Sequence, residues 1–318
     1  VYTIHNLKYQ GIYPPSIMRD IIGLPQELFD KGNLECDGCV NYMKSGLVYA
    51  DRVTTVSPTY AQEITYPYFG EGLDGYIRAN SGKVSGILNG LDVDAYNPET
   101  DPYIKKQYSV DTARADKREN KDALRAELGL RIKRGVPLIA MVTRLVEDKG
   151  LDLVMRIMDE LVDDEVQLVL VGTGDAGYED AFRELAYRHP NKVSANIMFN
   201  EALAHKVYAA SDMFLMPSRY EPCGLSQLIA LRYGSIPIVR ETGGLKDTVQ
   251  PFDKYSKQGN GLTFPNFNAH ELLFTTKRAL GYYEDDSLWD QLVRNAMTSD
   301  YSWNQSADAY ISLYESVL

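Results

Sequence analysis

The chain has 318 residues, 44% of them apolar and 24% charged, which is typical of a globular protein with roughly two domains. Acidic side chains outnumber basic ones 44 to 33, and the net charge of −11 disfavours a protein that coats nucleic acid. The apolar runs stop far short of the roughly 18 residues that a membrane span requires, and three cysteines do not make a disulfide framework, which indicates a reducing compartment.

The first hundred residues predict three short buried strands, because Val, Ile, Thr and Tyr are frequent in the stretches 1–5, 53–56 and 84–88. Helices are predicted between them, at 42–50 and after Ser57, which has the side chain of an N-cap and precedes a proline suited to the first helical position. Because the first strand is already under way at residue 1, we expect an N-terminal part of the same domain to precede it.

Helix-breaking residues are concentrated at 97–102, where the sequence reads Asn-Pro-Glu-Thr-Asp-Pro. This composition predicts a linker, and the domain boundary is expected between about residues 89 and 102. The chain is accordingly divided into a first domain at 1–95 and a second at 96–318.

From residue 136 onward, apolar strands alternate with amphipathic helices. The strands are predicted at 136–142, 166–171, 195–199, 213–216 and 235–239, and the helices between them at 151–161, 178–187, 201–210 and 225–233. This alternation is typical of β-α-β units, so we expect an α/β fold with a parallel sheet covered on both faces. Ligands of such sheets bind beyond the carboxyl ends of the strands. The tail after residue 269 is predicted to be helical.

The densest chemical signal is the segment 217–226, Pro-Ser-Arg-Tyr-Glu-Pro-Cys-Gly-Leu-Ser, which follows one predicted strand and precedes a helix. Gly224 permits close approach of a ligand to the backbone, and the amides of Leu225 and Ser226 lack partners within the helix. Such a helix start favours an anion, and Glu221 lies just outside it. The alternative is an ordinary strand-to-helix turn in which Glu221 is a solvated carboxylate.

A second signal lies at 143–150, after the strand at 136–142. Arg144 and Lys149 are two cations at the carboxyl end of a strand, where they can converge on a diphosphate. The alternative is a surface loop in which Lys149 pairs with Glu147 or Asp148.

Glycines follow two further strands. Gly172 and Gly174 form a Gly-x-Gly that Gly177 extends to the dinucleotide spacing, but they do not follow the first strand of the domain, and NAD is therefore rejected. The pair in 242–245 suits close backbone approach, and a tight turn would explain it equally well.

Two other features are weaker. His5 lies at the end of the first strand, where a polar group would face a cleft between domains, although a lone histidine is more often structural. Cys36 and Cys39 have the spacing of a zinc or redox pair, but no second pair or nearby histidine supports them, and no metal site is predicted.

In this order, the motifs resemble the bacterial glycogen synthase and plant starch synthase family of retaining glucosyltransferases. The resemblance rests on the segments 3–11, 51–58, 86–92, 221–225 and 242–245. It implies the GT-B architecture, in which two Rossmann-like domains face a cleft. Residues 1–95 would then form the C-terminal part of the acceptor-side domain, and 96–318 the nucleotide-sugar domain, with final helices packing back toward the first.

The resemblance also implies the chemistry. The family transfers glucose from a nucleotide sugar, typically ADP-glucose, to the non-reducing end of an α-1,4-glucan, without a cofactor or metal. Arg144 and Lys149 would hold the donor diphosphate, and Glu221 would lie beside the transferred glucose. His5 would act from the other side of the cleft. The compartment implied is the cytoplasm, or a plastid in a plant.

The resemblance further implies donor-binding positions after the sheet strands and one in the first domain. They are Asn89, Gly172, Gly174, Phe199, Cys223, Gly224, Leu225, Ser226, Thr242, Gly243 and Gly244. Phe199 matches a position at which the family places an aromatic ring near adenine. The partners implied are ADP-glucose and the glucan, with no nucleic acid or membrane, and the oligomeric state is not predicted.

Two departures from the family pattern leave alternatives open. The family's Lys-x-Gly-Gly-Leu loop is not found in this chain, and Ile229 stands where many related transferases have a second glutamate. One alternative is therefore a catalytically inactive nucleotide- or glucan-binding fragment. The other is a different GT-B transferase or a phosphorylase, which would need a lysine for pyridoxal phosphate.

Overall fold

A computed structural model describes residues 1–163 and 165–318. The chain divides into two compact units, one formed by residues 1–89 and 304–318 and the other by residues 90–303. Among the helices of the described ranges, none combines the length and hydropathy that a membrane crossing requires.

Short strands and helices build the part of the first unit before residue 90. The strands are β1 (Tyr2–Ile4), β2 (Ile12–Tyr13), β3 (Glu35–Cys36), β4 (Cys39–Asn41), β5 (Val53–Thr55) and β6 (Val84–Gly86). The helices are α1 (Gln26–Asp30), α2 (Tyr42–Tyr49), α3 (Pro58–Glu63) and α4 (Asp74–Ala79), with a π-helical segment at Met18–Ile22 and a 3₁₀ turn at Ser81–Lys83.

The three predicted strands of this unit are confirmed. They form a parallel sheet in the order β1–β5–β6. The N-cap prediction is also confirmed, since the Ser57 hydroxyl accepts a hydrogen bond from the Tyr60 amide at 3.0 Å. Ser306, near the C-terminus, donates to the Leu88 carbonyl within the same unit.

Cys36 and Cys39 face each other across an antiparallel hairpin formed by β3 and β4. Asp37 and Gly38 between them have φ values of 51° and 76°, as a two-residue hairpin turn requires. The Cys-x-x-Cys spacing is therefore explained by the hairpin. Within the described residues, no group of three or more His, Cys, Asp or Glu side chains could hold a metal.

The second unit contains one six-stranded sheet, and its strands are parallel, as the sequence predicted. Its strands are β7 (Leu138–Val142), β8 (Gln167–Val171), β9 (Val193–Asn196), β10 (Met213–Met216), β11 (Ile236–Arg240) and β12 (Leu262–Phe264), in the spatial order β12–β11–β10–β7–β8–β9. The α-helices of this unit are α5 (Ala113–Glu127), α6 (Leu151–Asp163), α7 (Ala176–Arg188), α8 (Glu201–Ala210), α9 (Ser226–Arg232), α10 (Gly243–Thr248), α11 (Ala269–Tyr283) and α12 (Asp286–Met297). The last helix of the chain, α13 (Trp303–Glu315), belongs to the first unit from residue 304 onward.

Several details of this unit differ from the sequence prediction. The strand predicted at 195–199 ends at Asn196, so Phe199 lies beyond it on a loop. Strand β12 was not predicted, because three residues carry too little pattern. Helix α5 was not predicted either, because polar side chains, among them Lys117, Lys121 and Arg125, occupy much of its buried face.

Each of these buried cations of α5 has a carbonyl or carboxylate partner. The Lys117 ammonium donates to the carbonyls of Ala209 at 2.9 Å and Tyr233 at 2.8 Å, and burial lowers its pKa to about 7. Lys121 pairs with Asp212 at 2.6 Å, and both side chains are less than 10% exposed. Basic side chains with buried partners therefore occupy the face of α5 where an apolar stripe would be expected.

Part of the stretch at 97–102 packs into the second unit, unlike the linker that was predicted. Asp101 is buried, and its carboxylate accepts a hydrogen bond from the Tyr233 hydroxyl at 2.5 Å and lies 2.8 Å from Nδ1 of His205. Burial by itself would raise the pKa of Asp101. The hydrogen bonds from His205 and Tyr233 outweigh burial and hold this pKa below its ordinary value.

The substitution Lys121→Met is expected to lower the free energy of unfolding by about 3–5 kcal/mol, because it leaves the Asp212 carboxylate buried without its cation. The matched control is Lys206→Met, which removes a more exposed ion pair with Glu127 and should cost less than about 1 kcal/mol. Urea unfolding followed by circular dichroism measures both. Equal losses in the two variants would contradict the role given to burial.

The lowered pKa of Asp101 predicts how the stability of the fold depends on pH. Because its pKa is depressed in the folded chain, it contributes stability above the ordinary carboxyl pKa, and that stability is lost as the pH falls through the folded pKa. Asp101→Asn should therefore be less stable at neutral pH and lose less stability than the wild type between about pH 5 and about pH 3. Unfolding free energies across this range, with exposed Asp308→Asn as control, provide the measurement. If Asp101→Asn lost as much stability as the wild type over this pH range, the contribution assigned to the Asp101 carboxylate would be wrong.

Candidate active site

Four loops lie at the carboxyl ends of adjacent strands in the second unit. They follow β11, β10, β7 and β8, which are neighbours in that order. The two densest sequence motifs occupy the loops after β7 and β10. Because the strands are parallel, these loops emerge on the same edge of the sheet.

Lys149 and Glu221 are brought into direct contact by these loops. The Lys149 ammonium lies 2.6 Å from Oε2 of Glu221, and the two side chains are 16% and 9% exposed. The buried Ser218 hydroxyl donates to the same carboxylate oxygen at 3.0 Å. Lys149 is therefore paired with Glu221, not with the neighbouring Glu147 or Asp148 of its own loop, and Glu221 is not a solvated loop carboxylate.

Backbone contact holds the Glu221 loop against the loop after β11. A Cβ on Gly243 would lie 2.0 Å from the Glu221 carbonyl oxygen, and one on Gly244 would lie 2.0 Å from the Cys223 carbonyl oxygen. The Gly244 amide donates to the Glu221 carbonyl at 3.1 Å. Both glycines are required because no side chain fits between the two backbones.

The loops after β7 and β8 are joined in the same way. A Cβ on Gly172 would lie 1.8 Å from the Thr143 carbonyl oxygen, and one on Gly174 would lie 2.2 Å from the Leu145 carbonyl oxygen. The Leu145 amide donates to the Thr173 carbonyl at 2.8 Å. The glycine spacing is therefore explained by loop packing, and donor binding by these residues remains a prediction.

A tight turn at Gly224 leads into α9, the helix predicted at 225–233. Gly224 has a φ of 74°, Leu225 is half exposed and Ser226 begins the helix. Gln227, which sequence reasoning missed, donates from its amide nitrogen to the carbonyls of Cys223 at 3.0 Å and Gly224 at 3.1 Å.

Arg240 was also missed. Its guanidinium donates to the backbone carbonyls of Ser218 at 2.9 Å and of Arg219, so it holds the Glu221 loop from the end of β11. These partners are some twenty residues away from Arg240 along the chain. Sequence spacing alone carries no signal for such contacts.

The remaining predicted residues lie in four places. Arg144 is exposed on the same loop as Lys149, and Thr242 is buried at the start of α10. Phe199 is 92% exposed after β9, the edge strand of the sheet. His5 and Asn89 belong to the first unit, where His5 is exposed directly after β1. Their participation with the second unit remains a prediction.

Gly244→Ala is expected to lower the free energy of unfolding by about 1–3 kcal/mol, because the methyl group would force the α10 loop away from the Cys223 carbonyl. The control is Gly177→Ala near the start of α7, where an added Cβ meets nothing within 4 Å. Chemical denaturation of both variants is the measurement. A Gly244→Ala protein as stable as the control would show that the two backbones are not held at this distance.

Two family models match the chain. The one described as starch synthase catalytic domain covers residues 1–79, and the one described as glycosyl transferases group 1 covers residues 122–295. A glycogen synthase of Bacillus cereus is 54% identical over the whole chain, and one of Alkaliphilus metalliredigens is 50% identical over 317 residues. The chain spans 67% and 66% of their respective lengths.

Solved structures agree with these matches. The catalytic domain of starch synthase IV from Arabidopsis thaliana, bound to ADP and acarbose, superposes with a TM-score of 0.92 at 38% identity, over 98% of this chain and 66% of that one. A sucrose-phosphate synthase from Thermosynechococcus elongatus shares the fold. Its TM-score is 0.62 at 21% identity, over 99% of this chain and 67% of that one.

The resemblance seen in the sequence is thereby confirmed. The GT-B fold and the hexosyltransferase class follow from the same matches. The function of the matched family is glucosyl transfer from ADP-glucose to an α-1,4-glucan with retention of configuration. The chain belongs to the bacterial glycogen synthase and plant starch synthase family of glycosyltransferases.

Proposed function

We propose that the carboxyl-end loops of the second unit bind the ADP-glucose donor and stabilise the diphosphate that leaves during glucosyl transfer. The observation that carries this proposal is the contact between the Lys149 ammonium and the Glu221 carboxylate, 2.6 Å apart on the loops of two adjacent strands. It is a largely buried cation and anion held at the sheet edge where ligands of such folds bind.

Lys149 and Arg144 supply positive charge to the leaving group. Breaking the bond between the anomeric carbon and the diphosphate places negative charge on the diphosphate oxygens. Fixed cations aimed at those oxygens stabilise the transition state more than the ground state, since the charge develops during the reaction. The guanidinium of Arg144 suits two phosphate oxygens at once, and the Lys149 ammonium acts as a point charge. These side chains take the role that a divalent ion has in other nucleotide transferases.

Glu221 positions the transferred sugar. Its carboxylate is held by Lys149 and by the Ser218 hydroxyl on the same oxygen, Oε2. When the donor diphosphate draws the Lys149 ammonium toward itself, the carboxylate is left to accept hydrogen bonds from sugar hydroxyls and to stabilise positive charge at the anomeric carbon. We prefer this role to that of a covalent nucleophile.

The surrounding loops complete the proposed donor site. Cys223 and the amides of Gly224, Leu225 and Ser226 would face the phosphates and sugar hydroxyls. Thr242, Gly243, Gly244, Gly172 and Gly174 would line the nucleotide and sugar, with Phe199 near the adenine. His5 and Asn89 would contribute from the first unit.

ADP is the proposed nucleotide because the starch synthase IV structure is described as bound to ADP and acarbose. The acceptor proposed is an α-1,4-glucan, in line with the glycogen synthases among the relatives. The cytoplasm is the proposed compartment, since none of the three cysteines, all of them in the described ranges, forms a disulfide.

Lys149→Ala is expected to lower glucosyl transfer from ADP-glucose to glycogen by about 10²–10³-fold, which corresponds to the ~2.7–4 kcal/mol lost with one oxyanion donor. The assay measures radiolabelled glucose incorporated into glycogen, and Lys206→Ala on the surface of α8 is the control.

A Lys149→Ala protein with near-normal turnover would defeat this assignment. Calorimetry with ADP, run beside the assay, identifies the alternative of a binding fragment. A chain that binds ADP without transferring glucose would support that alternative, and a chain that binds no ADP would reject the donor site itself.

A further inference from the structure

Gln227, near the start of α9, folds its side chain back onto the turn that precedes the helix. The residue is fully buried, and its amide nitrogen donates to the carbonyls of Cys223 at 3.0 Å and Gly224 at 3.1 Å. The amide group also packs against Gly224, where an added Cβ would lie 2.4 Å from Oε1 of Gln227. One side chain therefore holds two consecutive carbonyls of the segment between Glu221 and α9.

A third contact joins this turn to α10. The amide nitrogen of Gln227 lies 3.1 Å from the hydroxyl oxygen of Thr248, and that hydroxyl donates to the Gly244 carbonyl at 2.6 Å. Thr248 is also fully buried. Because its proton is used at Gly244, the Thr248 oxygen accepts from Gln227. The side chain thus links the turn to the helix whose Gly244 lies against the Cys223 carbonyl.

The surroundings of the Gln227 amide group fix its orientation. Its two N–H groups face three acceptors, and the reverse orientation would set Oε1 against two carbonyl oxygens. In the observed orientation Oε1 is buried and has no hydrogen-bond partner among the described residues. A buried acceptor without a partner costs stability. The contribution of this side chain therefore comes from its donor end.

The two held carbonyls determine where the next two amides point. Within the described residues the peptide bonds are trans. In a planar trans peptide the C=O and the N–H point in opposite directions. Since the carbonyls of Cys223 and Gly224 are turned toward Gln227, the amides of Gly224 and Leu225 point away from it. These are two of the amides proposed above to face the donor phosphates.

We propose that Gln227 is a positioning residue that, by holding the carbonyls of Cys223 and Gly224, directs the amides of Gly224 and Leu225 toward the donor diphosphate. The inference rests on the proposed donor site. Gln227 touches no reacting atom in this role and acts only through the backbone of the turn. Without its donors the two peptide planes are no longer fixed, and the amides bind the phosphates less well.

The test is ADP affinity by calorimetry in the full chain, with the folding of each variant checked by circular dichroism. Gln227→Met keeps the size of the side chain and removes its donors. It is expected to bind ADP about tenfold more weakly, as for one lost hydrogen bond to a charged group. Gln227→Glu, which has the same shape and lacks the amide donor, is the second variant and should also lose affinity. Thr248→Val removes the link to α10, leaves both carbonyl contacts and should bind ADP as the wild type does.

The matched control is Gln167→Met at the amino end of β8. Gln167 is also buried, and its amide nitrogen donates to the carbonyls of Arg131 at 2.8 Å and Asn191 at 3.1 Å. Its Oε1 accepts from Arg125 at 2.7 Å. Because both ends of this amide are paired, Gln167→Met should lower the urea midpoint more than Gln227→Met does. Its ADP affinity should nevertheless be unchanged.

Three results would overturn the proposal. They are wild-type ADP affinity in Gln227→Met, an equal loss of affinity in Thr248→Val, and an equal loss in Gln167→Met. The second result would mean that the turn needs only its link to α10. The third would mean that ADP affinity follows the stability of the fold and not the direction of the two amides.

Lys149→Ala distinguishes failure of this inference from failure of the proposed function. If Lys149→Ala binds ADP as the wild type does, Lys149 is not in the donor site, and the proposed function fails together with the inference. If Lys149→Ala binds weakly while Gln227→Met binds normally, the donor site stands and the role given to Gln227 alone is wrong.

Discussion

The contact between Lys149 and Glu221 is the interaction on which the candidate site depends. It exists because β7 and β10 are parallel neighbours although more than seventy residues separate the two side chains along the chain. A cation and an anion in a partly buried setting attract one another more strongly than in water. The loops of two adjacent strands hold the pair together, which places both charges at the carboxyl ends of the strands.

Close backbone approach makes that contact possible. The loops that follow adjacent strands pack at Gly243 and Gly244 on one side of the Glu221 loop, and at Gly172 and Gly174 beside the Lys149 loop. A side chain at these positions would overlap the carbonyl oxygens of the neighbouring loop and force the loops apart. The glycines thus contribute to the chemistry through distance, whether or not they touch the donor.

At the amino ends of the same strands, charged residues have a different role. Asp212 lies before β10, accepts from the Leu138 amide at 2.7 Å and pairs with Lys121 of α5. Arg125 of the same helix donates to the Val136 carbonyl at 2.7 Å, before β7. The cations at the amino ends of these strands contact only groups of the protein in the hydrogen bonds given above, whereas those at the carboxyl ends are proposed to contact a ligand as well.

Much of the fold could be predicted from the sequence. Near-continuous apolar strands identified the parallel sheet, and the predicted helix at 201–210 and strand at 213–216 match α8 and β10. The prediction failed where burial does not follow hydrophobicity. Helix α5 buries lysines, and Asp101 is buried in a breaker-rich stretch because His205 and Tyr233 satisfy it.

The sequence by itself determined the family and the loops that bear its chemistry, because ordered motifs and strand ends are local features of the chain. Only the tertiary structure decided that Lys149 meets Glu221 and that Tyr220 meets Asp148. Glu147 and Asp148 were equally available to Lys149 from spacing alone. The pairing of parallel strands brings distant residues within hydrogen-bond distance, and no local pattern encodes which of several carboxylates is then closest.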